Sequence, residues 1–346
     1  MLNLILLKVE VGPGKGLMCQ TSDTLESVME AFGRQYLKLF SPLPQHKSAG
    51  WLMVTLLLTT YFNSSAFAQQ DGNSDSHSIR IWHKNAAHQS TLSFLQLALE
   101  KAYPDDIPRL NVITVDDNEV AFSKLEDVDE NARLDIVVSA VSEDREDRYL
   151  PIYVPLDRGL LGFRLCMVEP MYVERFSKVK SVTDFARQSL RLTLVKAWPD
   201  VSIMRHNQIP LHTTVHYNEA IEALQTNKAH CFSRSVIEID DELKVNPQLL
   251  IEPHIALIYP LADIIYVNPN LPKLHQTLTI GLELAIEDNS YFEMAEKYYA
   301  EILTNHGFYS RKLLIMQNPN VTDPALEAIN RFGIASFIKS TGNTKS

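Results

Sequence analysis

Short apolar runs, too brief for helices, alternate along this chain with segments of helical period, and that alternation narrows the fold to an α/β class. SIRIWH (78–83), RLNVITV (109–115) and RLDIVVS (133–139) read as strands. Between them lies helical material such as STLSFLQLALEKAY (90–103), which opens on a serine N-cap. The second and third runs are apolar at nearly every position, as in strands of a sheet covered on both faces. The region REDRYLPIYVPLDRGLLGFRLCMVEP (145–170) has a different texture, broken by prolines and a glycine into extended pieces. The alternation then restarts. SVTDFARQ (181–188) opens a short helix with a Ser-x-x-Asp start, followed by strand LRLTLVK (190–196) and helix PDVSIMRHN (199–207). LHTTVHY (211–217) and AHCFSR (229–234) read as strands, with helices at 218–227 and 235–246. Residues 255–268 are extended again, and the remainder reads as helical, at 271–288, 291–305 and 323–333.

The pattern predicts two lobes, each a mostly parallel sheet flanked by helices, the second inserted into the first. Lobe I comprises 78–160 and 262–340, lobe II 161–261, and 341–346 form a tail. Two extended segments, near 157–164 and 258–267, carry the chain across and back. Such an architecture leaves a cleft between lobes, faced by loops at the carboxyl ends of strands, where ligands bind.

The most apolar stretch, WLMVTLLLTTYF (51–62), is uncharged and only twelve residues long. A bilayer span needs roughly 20. A basic approach (Arg34, Lys38, Lys47), this run and then Ala66-Phe67-Ala68 follow the order of a secretory signal with an A-x-A cleavage site. The expectation is export to the periplasm with cleavage after Ala68, leaving 69–77 as a polar linker. A leader of 1–68 is long, and Met18 or Met29 would serve as a start as well as Met1. Removing it takes away five Lys and Arg and four Asp and Glu, so a net charge of −10 becomes −11. A chain this acidic, without a Lys/Arg block, has no electrostatic footprint for nucleic acid. Of the three cysteines, Cys19 lies in the leader, while Cys166 and Cys231 stay. An oxidising compartment permits a disulfide between them, and two buried free thiols are the alternative. If 160–168 runs antiparallel beside 229–234, the two sulfurs are neighbours.

SEDREDRYLPIY (142–153) resembles the Thr-x-x-Arg segment that precedes the first crossover in family 3 periplasmic solute-binding proteins, the bilobal class that includes the polar-amino-acid binders. LPIYVPLDRGLLGFRLCMV, AWPDVSIMRHN and FSRSVIEIDDEL resemble motifs of a sub-branch of solute-binding-like proteins with a Trp-Pro-Asp turn. The resemblance spans about 78–316. It implies the type II periplasmic-binding-protein fold, a monomer holding a small solute between its lobes, and an inner-membrane ABC permease or sensor as partner. It also implies that Arg145 clamps a ligand carboxylate. Amino-acid binders usually carry a Lys-Ser-Gly-Thr-like turn in lobe II. Here the turn reads Lys196-Ala197-Trp198-Pro199-Asp200, in which Pro199 removes an amide donor and Asp200 brings a negative charge.

Arg145, with Ser142 just before it, is either a cleft guanidinium that holds a carboxylate bidentately or part of the solvated charge run 143–148. Trp198 is a stacking wall or a hydrophobic plug, and Asp200 a ligand acceptor or a helix cap. Ser233 and Arg234 end a strand and would face the cleft, unless Arg234 pairs with Glu238 four residues on. His83 ends the first strand, as a ligand contact or a satisfied neighbour. His212 and His216 lie about 13 Å apart on a strand, so no metal is expected of them. No motif for a nucleophile or a metalloprotease is present, so no catalytic residue and no cofactor is assigned. The function expected is capture of a small polar, anionic solute. A dehydratase-like enzyme with Asp200 as proton donor, and an interaction protein with a degenerate cleft, are the competing readings.

Overall fold

The computed structural model describes residues 7–9, 78–129 and 131–337. The apolar run 51–62, the cleavage site after Ala68, the linker and the tail lie outside them. Residues Leu7–Val9 form strand β1.

Lobe I is built on β2 (Ser78–Trp82), β3 (Arg109–Ile113), β4 (Ile136–Ala140), β5 (Leu150–Ile152) and β12 (Asp263–Val267). The sheet order is β3-β2-β4-β12-β5. The first three strands run parallel, and β12 returns antiparallel to both β4 and β5. Helices α1 (Gln89–Ala102) and α5 (Pro272–Glu287) pack together, and Phe94, Leu95, Leu278 and Leu282 are buried in the lobe I core. Gly281 makes the close approach possible, since a Cβ there would sit 2.0 Å from the Ala98 carbonyl oxygen. Strand β4 is buried at every position, as its apolar run requires. RLNVITV departs from expectation: β3 is the edge strand, and Arg109, Asn111 and Val112 are exposed. An edge strand has a neighbour on one side only, so apolar content alone does not place it inside.

Lobe II holds β6 (Phe163–Val168), β7 (Leu192–Val195), β8 (Leu211–Thr214), β9 (Cys231–Ser235) and β11 (Ile255–Ile258). With β13 (Lys312–Ile315) the order is β13-β11-β6-β9-β7-β8, and β10 (Leu250–Ile251) also pairs with β6. Strands β7, β8 and β9 are parallel, while β6 runs antiparallel to both β9 and β11. The two-lobe α/β class expected of the sequence is what these sheets show, each with antiparallel strands added beside its parallel core.

The lobe boundaries need one correction. Residues 312–315 fall within the stretch expected in lobe I, yet they form β13, which extends the lobe II sheet in parallel register with β11. The run KLLI can pair on an open edge that the sheet otherwise leaves bare, and the chain therefore crosses between lobes four times. The last crossing is pinned along its way. Asn207 of lobe II donates to the Gln317 carbonyl, Asn318 donates to the Pro260 carbonyl, and Thr322 bonds to Glu146 of lobe I. It ends in α6 (Asp323–Phe332) and β14 (Ala335–Phe337), the latter parallel to β1.

The first two crossings lie against one another. The Tyr259 amide donates to the Gly162 carbonyl at 3.1 Å and the Gly162 amide to the Leu261 carbonyl at 3.2 Å. A Cβ at Gly162 would meet the Tyr259 oxygen at 1.9 Å, so only glycine fits.

Candidate functional site

Strand β4 delivers the chain to the edge of lobe I, where Ser142 occupies the N-cap position of the short helix α2 (Glu143–Arg148). One turn in, Arg145 folds back over the strand end. Its guanidinium donates to Ser139 Oγ at 2.9 Å, the Ala140 carbonyl at 3.3 Å and Asn118 Oδ1 at 3.0 Å. It also lies 4.4 Å from the centroid of the Phe122 ring. These partners are neutral, and no ion pair among the described residues uses Arg145. Burial lowers its pKa from the ordinary arginine value, so the cation sits largely desolvated. A cavity of about 200 Å³ opens beside it, lined by Glu119, Phe122, Ser142, Asp144, Arg145, Arg148 and Tyr149 of lobe I and by Ala197 of lobe II. Neighbouring Arg148, by contrast, is exposed and pairs with Glu126 and Asp144.

The facing lobe presents a different arrangement. Asp200 opens α3 (Asp200–His206) and is 3% exposed. Its carboxylate meets Arg164 Nη2 at 2.6 Å and accepts from the Tyr259 hydroxyl, while Arg164 Nε donates to Tyr259 Oη at 2.9 Å. Arg164 continues to Glu238 at 3.4 Å, and Glu238 to Arg234 at 3.2 Å. Arg234 then meets Glu242 on α4 (Ile239–Val245) at 2.5 Å. The Arg234 guanidinium also stacks 4.4 Å from the Trp198 centroid, and Trp198 lies parallel to Phe232 at 5.9 Å. Burial opposes ionisation of Glu238, but Arg234 and Arg164 outweigh it and hold the carboxyl below its ordinary range. Burial wins at Glu242, whose pKa is raised. Three carboxylates and two guanidiniums thus form one ion-pair network within lobe II.

The sequence candidates fall into distinct places. Arg145 and Ser142 line the cavity. Trp198 is a half-buried plug against Phe232 and Arg234. Asp200, weighed as a ligand acceptor and as a proton donor, is instead buried and held by Arg164 and Tyr259, which corrects both readings. Arg234, expected to reach the cleft, is 7% exposed and pairs with Glu238 at i+4, the alternative reading of the sequence. Ser233 also departs from expectation: it is fully buried on β9, because a strand paired on both sides keeps it in the lobe interior. His83 follows β2, where its Nδ1 accepts from the Val115 amide at 3.3 Å; it is a satisfied neighbour. Cys166 and Cys231 form a disulfide with Cα atoms 5.0 Å apart, joining the antiparallel pair β6 and β9.

Several residues escaped the sequence reading. Arg164 was passed over as one polar letter in LLGFRLCMV, although a lone charge in a buried strand requires a partner and is itself a signal. Asn118, Ser139 and Phe122 carried no signal at all. Two carboxyls at the lobe crossings were also missed. Asp157 accepts from the amides of Leu161 (2.7 Å), Gly159 (3.1 Å) and Asp263 (3.3 Å), so it ties one crossing to the start of the other. Burial raises it to about 6 despite those three bonds. Asp263 is pushed well above the ordinary range, by burial and then by Asp157.

No family model matches this chain, and no curated protein does. Among solved structures it is similar to a Salmonella typhimurium periplasmic binding protein of high arginine specificity, at 14% identity over 65% of this chain and 100% of that one, with a TM-score of 0.45. It is similar to an ancestral arginine-binding protein at 12% identity, over 64% of this chain and 98% of that one, with a TM-score of 0.47. The ligand-binding core of GluR0 from Nostoc punctiforme gives 14% identity, 64% and 98% coverage and a TM-score of 0.42.

Proposed function

We propose that this chain is an exported solute-binding protein that captures a small polar solute bearing a carboxylate in the cleft between its lobes and presents it to a membrane permease or sensor. One observation carries the reading. Arg145 is a desolvated guanidinium beside a cavity lined from both lobes, and its hydrogen bonds go to neutral groups. A desolvated cation bonded only to neutral groups is costly to keep, and a bound carboxylate would offset that cost through two parallel N–H···O bonds. The cavity of about 200 Å³ suits a metabolite of few heavy atoms rather than a peptide. Native mass spectrometry of protein isolated from the periplasmic fraction tests the proposal. Wild type should carry a small acidic adduct that Arg145→Ala lacks, on a chain whose mass begins at Gln69. The same adduct on both proteins, or a chain retaining residues 1–68, would contradict it.

A further inference from the structure

Lobe II contains two buried guanidiniums, Arg164 and Arg234, 3% and 7% exposed, on the adjacent strands β6 and β9. Each has one close carboxylate: Asp200 at 2.6 Å from Arg164 and Glu242 at 2.5 Å from Arg234. Glu238 is the third acid, and it differs from the other two. It bridges both arginines, one oxygen on each, at 3.4 and 3.2 Å, and its side chain keeps 29% exposure where Asp200 keeps 4% and Glu242 14%. Its surroundings identify the exposed side. Glu238 follows the carboxyl end of β9, whose last residue Ser235 donates through Oγ to the Leu160 carbonyl at the first crossing, so it lies on the side of lobe II where the chain passes to lobe I.

We infer that Glu238 is a charge selector: its carboxylate occupies the place between Arg164 and Arg234 that a second anionic group of a solute would otherwise take. The inference deepens the solute-binding reading and rests on it for the role of the cleft. It follows that a solute with one carboxylate, directed at Arg145, is accepted, while one with a second acidic group directed at lobe II meets an occupied site and a like charge. Like-charge juxtaposition is an effective way to refuse a wrong partner. The geometry explains why Glu238 and not its neighbours does this. Its two contacts are the longest of the network, and removing it leaves both arginines with their close acid still in place.

The test uses inorganic sulfate as probe, titrated calorimetrically into the mature protein. Glu238→Ala should bind sulfate at least tenfold more tightly than wild type, and Glu238→Gln, which keeps the shape and loses the charge, should bind at least threefold more tightly. The gain should survive in Arg145→Ala/Glu238→Ala and disappear in Arg234→Ala/Glu238→Ala. No gain in either single variant, with native circular dichroism in at least one, would overturn the inference. A gain that vanishes with Arg145 would also overturn it, because the sulfate would then sit on lobe I. Loss of the co-purified solute's site in Arg145→Ala bears on the solute-binding reading alone, so the two can fail separately.

Discussion

The two lobes hold the same chemical group in opposite electrostatic states. In lobe I, Arg145 is held by a serine hydroxyl, a backbone carbonyl and a side-chain amide, beside a phenyl ring. In lobe II, Arg164 and Arg234 are held by three carboxylates. Neutral acceptors fix a guanidinium in space without cancelling its charge, whereas carboxylates cancel it. The first arrangement leaves the charge uncancelled, and the second leaves a framework. Counting arginines near a cleft therefore says little about ligand charge until their counter-ions are located.

Removing a framework arginine should have the largest effect. Arg164→Ala strands Asp200, buried against Tyr259, and frees one side of Glu238. Removing one partner of a buried ion pair costs about 3–5 kcal/mol, because the other charge stays buried and uncompensated. Chemical denaturation should show a loss of about that size. A loss below about 1 kcal/mol would mean that the lobe II network is not structural.

A smaller effect comes from lobe II's remaining buried acid. Glu252 is fully buried, and burial raises it to about 7 even though the His254 and Ile255 amides donate to it and Arg311 stands nearby. Its folded pKa lies above the unfolded one, so its contribution is fully present below the ordinary glutamate value and is lost as pH rises through about 7. Glu252→Gln should therefore gain stability relative to wild type as pH climbs through that window, read from paired melting curves. Parallel curves would show that Glu252 ionises in the fold as easily as in the unfolded chain.

The elements that set these residues in place were readable to different degrees. Helix α1 and strand β4 were legible because period and apolar content are local properties. Strand β13 was not, since KLLI is short and its reason to be extended is β11, more than fifty residues earlier. At the candidate site, the segment around Arg145 singles it out, but the neutrality of its hydrogen-bond partners is not readable there. A run reading Glu-Asp-Arg-Glu-Asp-Arg offers acids on every side, and the fold sends them elsewhere: Asp144 to Arg148, Glu146 to Tyr153 and Thr322. Asp200 shows the converse. Its sequence neighbours allowed a cap or a ligand contact, and the outcome was decided by Arg164 from one crossing and Tyr259 from the other. Pairings between distant segments decide which charges remain available, and no local pattern encodes them.

The central claim is that Arg145 is free for a ligand while lobe II's arginines are not. Calorimetric titration of Arg145→Ala with the co-purified solute, beside melting of the unliganded protein, tests it most directly. Losing a bidentate arginine from a closed site costs about 2–5 kcal/mol, at least tenfold in Kd. That loss is expected together with an unliganded melting midpoint close to wild type, because the hydrogen bonds of Arg145 all go to neutral groups. Undiminished affinity, or a fall in unliganded stability as large as that of Arg164→Ala, would contradict it and make Arg145 part of the framework.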